Sequence, residues 1–118
     1  MVTLLGAAAA TAATLLAALA WTVPAPLAMA VAVVAGLASA LGGQWSRVAT
    51  HFLAAGLAAV TAPFQSAPAA IGMLALATLL VWLAFVELAQ APRSIRALAA
   101  ALGAIETGVI LWVMAHIG

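Results

Sequence analysis

The sequence has no cysteine, aspartate, lysine or tyrosine, and only five of its 118 residues are charged. The lack of cysteine excludes disulfides, thiolate metal sites and cysteine nucleophiles. Three arginines are the only permanent cations. They are too few to form the basic patch that is typical of nucleic-acid binding, so we expect no nucleic-acid partner.

Patterns that indicate catalysis or metal binding are also lacking. There is no glycine-rich phosphate loop and no serine, histidine and acid arrangement. The two histidines, His51 and His116, are far apart in the sequence and too few for a metal site made by protein ligands alone. A lone membrane histidine can be an axial haem ligand, but no second histidine lies at a matching depth. The sequence therefore predicts no enzyme, no metal and no cofactor.

Apolar residues dominate what remains. Hydrophobic residues make up 69% of the chain and charged residues 4%, whereas soluble domains have about 45–50% and about 25% respectively. A soluble fold of this length leaves much of its surface in water and could not hide so many apolar side chains. The sequence therefore predicts an integral membrane protein, with the lipid bilayer as its main partner.

Proline, glycine and arginine divide the apolar sequence into five alanine-rich segments. We predict an all-α fold, a polytopic transmembrane helical bundle with short loops that forms a single transmembrane domain over residues 1–118. The predicted helices cover residues 2–23, 26–42, 46–62, 68–90 and 94–117. The first segment has the alternative of a cleaved signal peptide, because Ala28-Met29-Ala30 resembles a cleavage site. No basic residue precedes Arg47, so we interpret this segment as a spanning helix.

The second and third segments allow two topologies, because each has only about fifteen strictly apolar residues. They are either two short crossings or a hairpin that enters the membrane and returns. Five crossings place all three arginines on one side, which the positive-inside rule assigns to the cytoplasm. A re-entrant hairpin would leave Arg47 at membrane depth, at a high free-energy cost. We therefore expect five crossings in a bacterial inner membrane, with the N-terminus cytoplasmic and the C-terminus outside.

Glu106 is the acid that the sequence places deepest in the membrane. It lies ten residues beyond Arg96, or roughly 15 Å along a helix, which is near the bilayer midplane. A carboxylate at this depth is costly unless it is protonated or paired inside the bundle. Glu106 is therefore a candidate proton relay, cation relay or ligand counter-ion. The alternative is a protonated acid that forms a structural hydrogen bond to a neighbouring helix.

A second set of polar residues is predicted at the cytoplasmic end of the bundle, and we call it the polar cluster. Its members are Arg47, His51, Glu87, Gln90, Arg93 and Arg96. The cluster is a candidate proton-collecting mouth, because a histidine titrates near neutral pH. The alternative is interfacial anchoring, with Glu87 paired to Arg93 or Arg47, since all these side chains reach the headgroups.

Two functions fit the sequence. The first is an accessory or structural subunit of a larger membrane complex, because small residues such as Ala104 and Gly108 suit close docking of helices. The second is a small homo-oligomeric transporter or channel that couples protons or cations through Glu106. The expected protein partners are accordingly other membrane subunits or further copies of the chain.

Overall fold

The computed structural model describes residues 2–90 and 92–116, which form five α-helices and no β-strand. The helices are α1 (Val2–Ala20), α2 (Ala25–Leu41), α3 (Gln44–Thr61), α4 (Ala67–Glu87) and α5 (Arg93–His116). Short 3₁₀ turns cover Ala62–Phe64 and Leu88–Gln90. The predicted all-α bundle of five helices is confirmed.

Most helix ends lie within one or two residues of the predicted ones. Two helices end earlier, because α1 stops at Ala20 and α4 stops at Glu87. The last predicted turn of α4 is instead the 3₁₀ turn Leu88–Gln90. The predicted end of the fifth helix at residue 117 lies outside the described residues.

The turn between α1 and α2 explains the early end of α1. The amide of Val23 donates to the carbonyl of Ala18, and the amide of Thr22 donates to that of Leu19, both at 3.0 Å. These two bonds form a Schellman motif, whose left-handed position is usually occupied by glycine. Here Thr22 occupies it with φ of 62°, which costs a β-branched residue about 1–2 kcal/mol. Pro24 follows and prevents α1 from continuing.

Three helices, α1, α4 and α5, are long and apolar enough to cross a membrane. The apolar helix α2 has only 17 residues. Helix α3 has 18 residues, but its first two turns contain five polar side chains. These are Gln44, Ser46, Arg47, Thr50 and His51. The chain is therefore a helical membrane protein by length and composition, whereas the count of five crossings stays a prediction.

Contacts between helices show that successive helices run in alternating directions. His51, near the start of α3, lies beside Gly6 near the start of α1, so these two helices are parallel. Arg47 at the start of α3 contacts Glu87 at the end of α4, so those two are antiparallel. Arg93 and Arg96 begin α5, which starts directly after α4 at the same end. All three arginines thus lie at one end of the bundle, which we call the arginine end.

The core of the bundle lies between α1, α3 and α4 and consists largely of alanine. Its fully buried members include Ala10, Ala13, Ala55, Ala58 and Ala77, each with an exposure of 0%. Because the alanine methyl group is small, helices that meet through it approach closely. This close approach stabilises the bundle through dispersion attraction between neighbouring backbones.

Helix α2 packs on α1 through its own small residues. Its buried positions are Ala28, Ala32, Gly36 and Ser39, which form one face. A side chain at Gly36 would overlap the Thr11 hydroxyl group. A Cβ at this crossing would force the Thr11 hydroxyl group to shift, so glycine suits the close approach of the two helices.

Helix α5 packs on the outside of α3 and α4 through one narrow stripe. Its buried residues are Ala99, Gly103, Ile110 and Val113, and Glu106 falls between them at helical spacing. In the apolar stretch of α5, 22% of the residues are buried in the bundle, against 44% in that of α4. Most of the α5 surface is therefore left to lipid or to another chain.

Candidate functional site

The structure brings Arg47 and Glu87 of the polar cluster into direct contact. Arg47 Nε lies 2.9 Å from Glu87 Oε1, and Nη2 lies 3.4 Å from Oε2. A third guanidinium bond runs from Nη1 to the carbonyl of Gly42, also at 2.9 Å. The exposures of the Arg47 and Glu87 side chains are 22% and 16%. This two-point pair therefore joins the end of α4 to the α2–α3 turn in a partly dry environment.

Two further hydrogen bonds strengthen the same end of the bundle. The Gln44 side-chain amide donates to the carbonyl of Glu87. The Ser46 hydroxyl donates to the carbonyl of Ala38 at 2.9 Å. Both acceptors are carbonyls near helix ends, and that of Ala38 also accepts from the amide of Gly42 at 3.2 Å. The first turn of α3 therefore caps the last turns of α2 and α4.

His51 lies inside the bundle, with an exposure of only 1%. Its Nε2 atom is 3.1 Å from the Ser39 hydroxyl of α2, while its Nδ1 atom is buried without a hydrogen-bond partner among the described residues. A Cβ at Gly6 would lie 2.6 Å from Nε2. The imidazole therefore fills the space left by this glycine, one turn deeper than Arg47.

The remaining members of the polar cluster do not join the ion pair. Arg93 and Arg96 are both exposed. Arg47–Glu87 is the single salt bridge within residues 2–90 and 92–116. The side chain of Gln90 is outside the part of the chain that the structure describes. A continuous polar mouth that contains all six residues thus stays a prediction.

Glu106 faces inward on α5, towards the middle of α3. A Cβ at Gly56 would lie 3.5 Å from Glu106 Oε1, so the carboxyl group sits beside a position without a side chain. Its Oε2 atom is buried and has no hydrogen-bond partner within the described ranges. The residue as a whole is half-buried. We call this place, between Gly56 and Glu106, the α3–α5 seam.

Phe85 of α4 sets the approach of α5 one turn before Glu106. Its ring lies against Gly103, where a Cβ would overlap the ring atoms. The same ring packs edge-to-face on Phe52 of α3, with centroids 6.2 Å apart. The three helices therefore meet around Phe85, and the seam with Glu106 begins next to it.

The opposite end of the bundle has its own polar contact. Trp21 Nε1 donates to the Thr61 hydroxyl at 2.8 Å, and that hydroxyl donates to the carbonyl of Leu57 at 2.6 Å. The Trp21 ring also lies 5.6 Å from the ring of Phe64, between centroids. A half-exposed tryptophan with a satisfied N–H is typical of the membrane interface. This contact fixes the end of α1 against the end of α3.

Sequence reasoning missed several residues of these contacts, among them Gly6, Ser39 and Thr61. A signal for Ser39 was present, because it is the only residue of α2 with a polar side chain, and lone polar residues in apolar helices often form interhelical bonds. Gly6 and Thr61 had no such signal, because several glycines and threonines in the chain are equivalent by pattern alone.

Two adjoining apolar grooves run between α4 and α5 on the outside of the bundle. Their volumes are about 610 and about 490 Å³, and they share Thr78, Trp82 and Met114. Their linings contain no charged residue, and their only polar side chains are two threonines. They therefore suit acyl chains or apolar helices rather than ions.

Within residues 2–90 and 92–116, no three histidine, cysteine, aspartate or glutamate side chains group in a way that would bind a metal ion. Comparisons of the chain with protein-family models, with curated proteins and with solved structures gave no match.

Proposed function

We propose that the chain is an accessory subunit of a larger membrane complex. The observation that supports this most is the weak packing of α5, which buries one narrow stripe and leaves its other faces open. The outward residues Ala97, Ala101, Ala104 and Gly108 are small and exposed. Their spacing places them on one face, as in helices that pack closely in lipid.

The interior of the bundle supports the same proposal. The space between α1, α3 and α4 is filled by buried alanine methyl groups together with a few larger side chains such as Met73, Leu74 and Leu80. A close-packed interior of this kind has little room for a solute pathway through one copy. The activity of the chain is then exerted at its lipid-facing surface, by contact with the transmembrane helices of another protein.

Two glycines allow a controlled test of docking at α5. A Cβ at Gly108 on α5 or at Gly72 on α4 would meet no atom within 4 Å, so neither substitution clashes inside the chain. We expect Gly108→Leu to release the chain from its complex and Gly72→Leu to leave the complex intact. The mass of the native complex, measured after mild-detergent extraction from the native membrane, shows for each variant whether the chain is still bound. Recovery of the wild type only as a monomer or a homo-oligomer would contradict the proposal.

A second candidate function, favoured by Glu106, is transport by a homo-oligomer. An inward-facing acid without a cationic partner is the kind of intramembrane group that marks ion pathways. A proteoliposome flux assay that compares wild type with Glu106→Gln tests this. Thr107→Val is the matched control, since Thr107 is the exposed neighbour of Glu106 on the same helix. Equal flux in wild type and Glu106→Gln would contradict this candidate.

A further inference from the structure

The cation chemistry of the α3–α5 seam follows from what surrounds Glu106. Glu106 lies ten residues after Arg96 and ten before His116, so about 15 Å of helix separates its Cα atom from that of each of them. Both distances place it near the middle of a hydrocarbon layer about 30 Å thick. Water at either membrane surface is therefore too far away to solvate its carboxylate directly.

No charged or titratable group on the neighbouring helices faces Glu106. On α3, Arg47 is bound to Glu87 and His51 is turned towards Gly6 and Ser39. On α4, Glu87 is the only such group, and it belongs to that same pair. On α5 itself, the two arginines lie at the start of the helix, and His116 stacks on Trp112 near its end. Within the described residues, nothing compensates a negative charge on Glu106.

A metal cation would find too few ligands in the seam. Cations such as Ca²⁺ and Mg²⁺ require six or more oxygen ligands, from protein or water. The α3 residue beside the carboxyl group is Gly56, which has no side-chain oxygen, and the described residues hold no metal-binding group. A proton needs only one carboxylate oxygen, and its binding also removes the charge that lipid opposes.

We propose that Glu106 is a proton-binding site that is a neutral carboxylic acid in the folded protein, and that Gly56 leaves it open to small apolar reagents. If the chain transports a cation through Glu106, as the second candidate function holds, that cation is the proton. Only this point rests on the transport candidate. The carboxyl group then exchanges a proton whenever the seam meets water, and it takes no metal ion.

Dicyclohexylcarbodiimide is a suitable probe, because it partitions into lipid and reacts with the neutral acid. The carboxyl O–H adds across one C=N bond of the carbodiimide. The oxygen bonds to the central carbon, and the proton goes to nitrogen. The O-acylisourea then rearranges to a stable N-acylurea. No oxidant or leaving group is needed, so the product gains the mass of one whole reagent molecule.

The test is labelling of the full chain in liposomes, followed by peptide mass mapping. We expect Glu106 to react at least about tenfold faster than Glu87, because Arg47 binds the Glu87 carboxyl group at two points and leaves it less available to the reagent. We also expect sodium ions to give no protection, and labelling to slow at alkaline pH. Comparable labelling of both acids, no labelling of Glu106, or protection by sodium would each overturn the inference.

A second variant tests access to the seam with Glu106 intact. Gly56→Ala introduces a methyl group at ordinary contact distance from Oε1, so the fold should persist while the carboxyl group is partly covered. We expect severalfold slower labelling than in wild type, and an unchanged rate in the control Gly72→Ala. An unchanged rate in Gly56→Ala would overturn the role of Gly56.

The labelling experiment tests the proton site and the flux assay tests transport, so either proposal can fail while the other stands. Labelling takes place in liposomes without any ion gradient, so it does not depend on transport. Labelled Glu106 without proton flux would leave the proton site standing and contradict the transport candidate. Glu106-dependent flux of sodium without labelling would support transport and overturn the proton assignment.

Discussion

The two glutamates of this chain lie in opposite environments, although both are half-buried. Glu87 is at the arginine end, bound at two points by Arg47. Glu106 is in the middle of α5, beside a glycine, and its Oε2 atom has no hydrogen-bond partner among the described residues. The partner therefore distinguishes the two acids, whereas burial does not. The chain supplies a cation only where headgroups and water also help to stabilise one.

The two glutamates therefore contribute in different ways to the fold and to function. A charge-assisted pair at a helix end stabilises the fold, and Arg47 also satisfies the carbonyl of Gly42 at the end of α2. An unpaired acid at membrane depth adds little to stability and is by default a candidate functional group. Substitutions at and around the two acids should therefore change the free energy of unfolding by different amounts. Each of the following variants tests that difference.

The largest expected effect follows removal of the cation beside Glu87. Arg47→Met leaves the Glu87 carboxylate and the Gly42 carbonyl without their donors, which should lower the free energy of unfolding by about 2–4 kcal/mol. Unfolding in mixed micelles, followed by circular dichroism, measures this. Arg96→Met is the control, because Arg96 is exposed, and it should change stability by less than about 0.5 kcal/mol. Equal losses in the two variants would remove the structural role of the pair.

An intermediate effect is expected at Gly103, one turn from Glu106. Gly103→Ala puts a methyl group into the ring of Phe85, and overpacking of this kind costs about 1–3 kcal/mol. The same substitution at Gly108 meets open space and should be neutral or slightly stabilising, because alanine favours the helix. The same micelle titration compares the two. A stable Gly103→Ala variant would show that α5 does not need its close approach to α4.

The smallest effect is expected at Glu106 itself. Glutamine resembles the neutral acid in shape, so Glu106→Gln should change the free energy of unfolding by less than about 0.5 kcal/mol. Glu87→Gln should lose about 1.5–3 kcal/mol, because it removes a charge-assisted hydrogen-bond acceptor. Measured side by side, the two variants test the comparison most directly. A large loss in Glu106→Gln would mean that its carboxyl group has a structural partner after all.

The sequence predicts the helices of this chain well and their contacts poorly. Pro24, Gly42 and Pro92 mark helix ends because proline and glycine act through the backbone, whatever the tertiary contacts are. The depth of Glu106 follows from counting residues along one helix. The rotation of each helix does not follow, because alanine-rich helices are apolar on all sides and give no amphipathic signal.

The same reasoning explains which parts of the site could be foreseen. Arg47 and Glu87 are charged and lie near helix ends, so their pairing was one of the predicted alternatives. The contact of His51 with Ser39 required knowing that α2 turns its only polar side chain towards α3. The position of Glu106 beside Gly56 likewise depends on how α5 crosses α3, which follows from packing contacts such as that of Phe85 on Gly103.

The turn at Thr22 also has a consequence for biogenesis. Its two hydrogen bonds are local, so α1 and α2 can fold back on each other before the rest of the chain is made. A paired hairpin enters a bilayer with its backbone groups already bonded, and only a few turn residues need to reach the far side. The hydrogen bonds of this turn thus join only four residues, and none of the four belongs to a later helix.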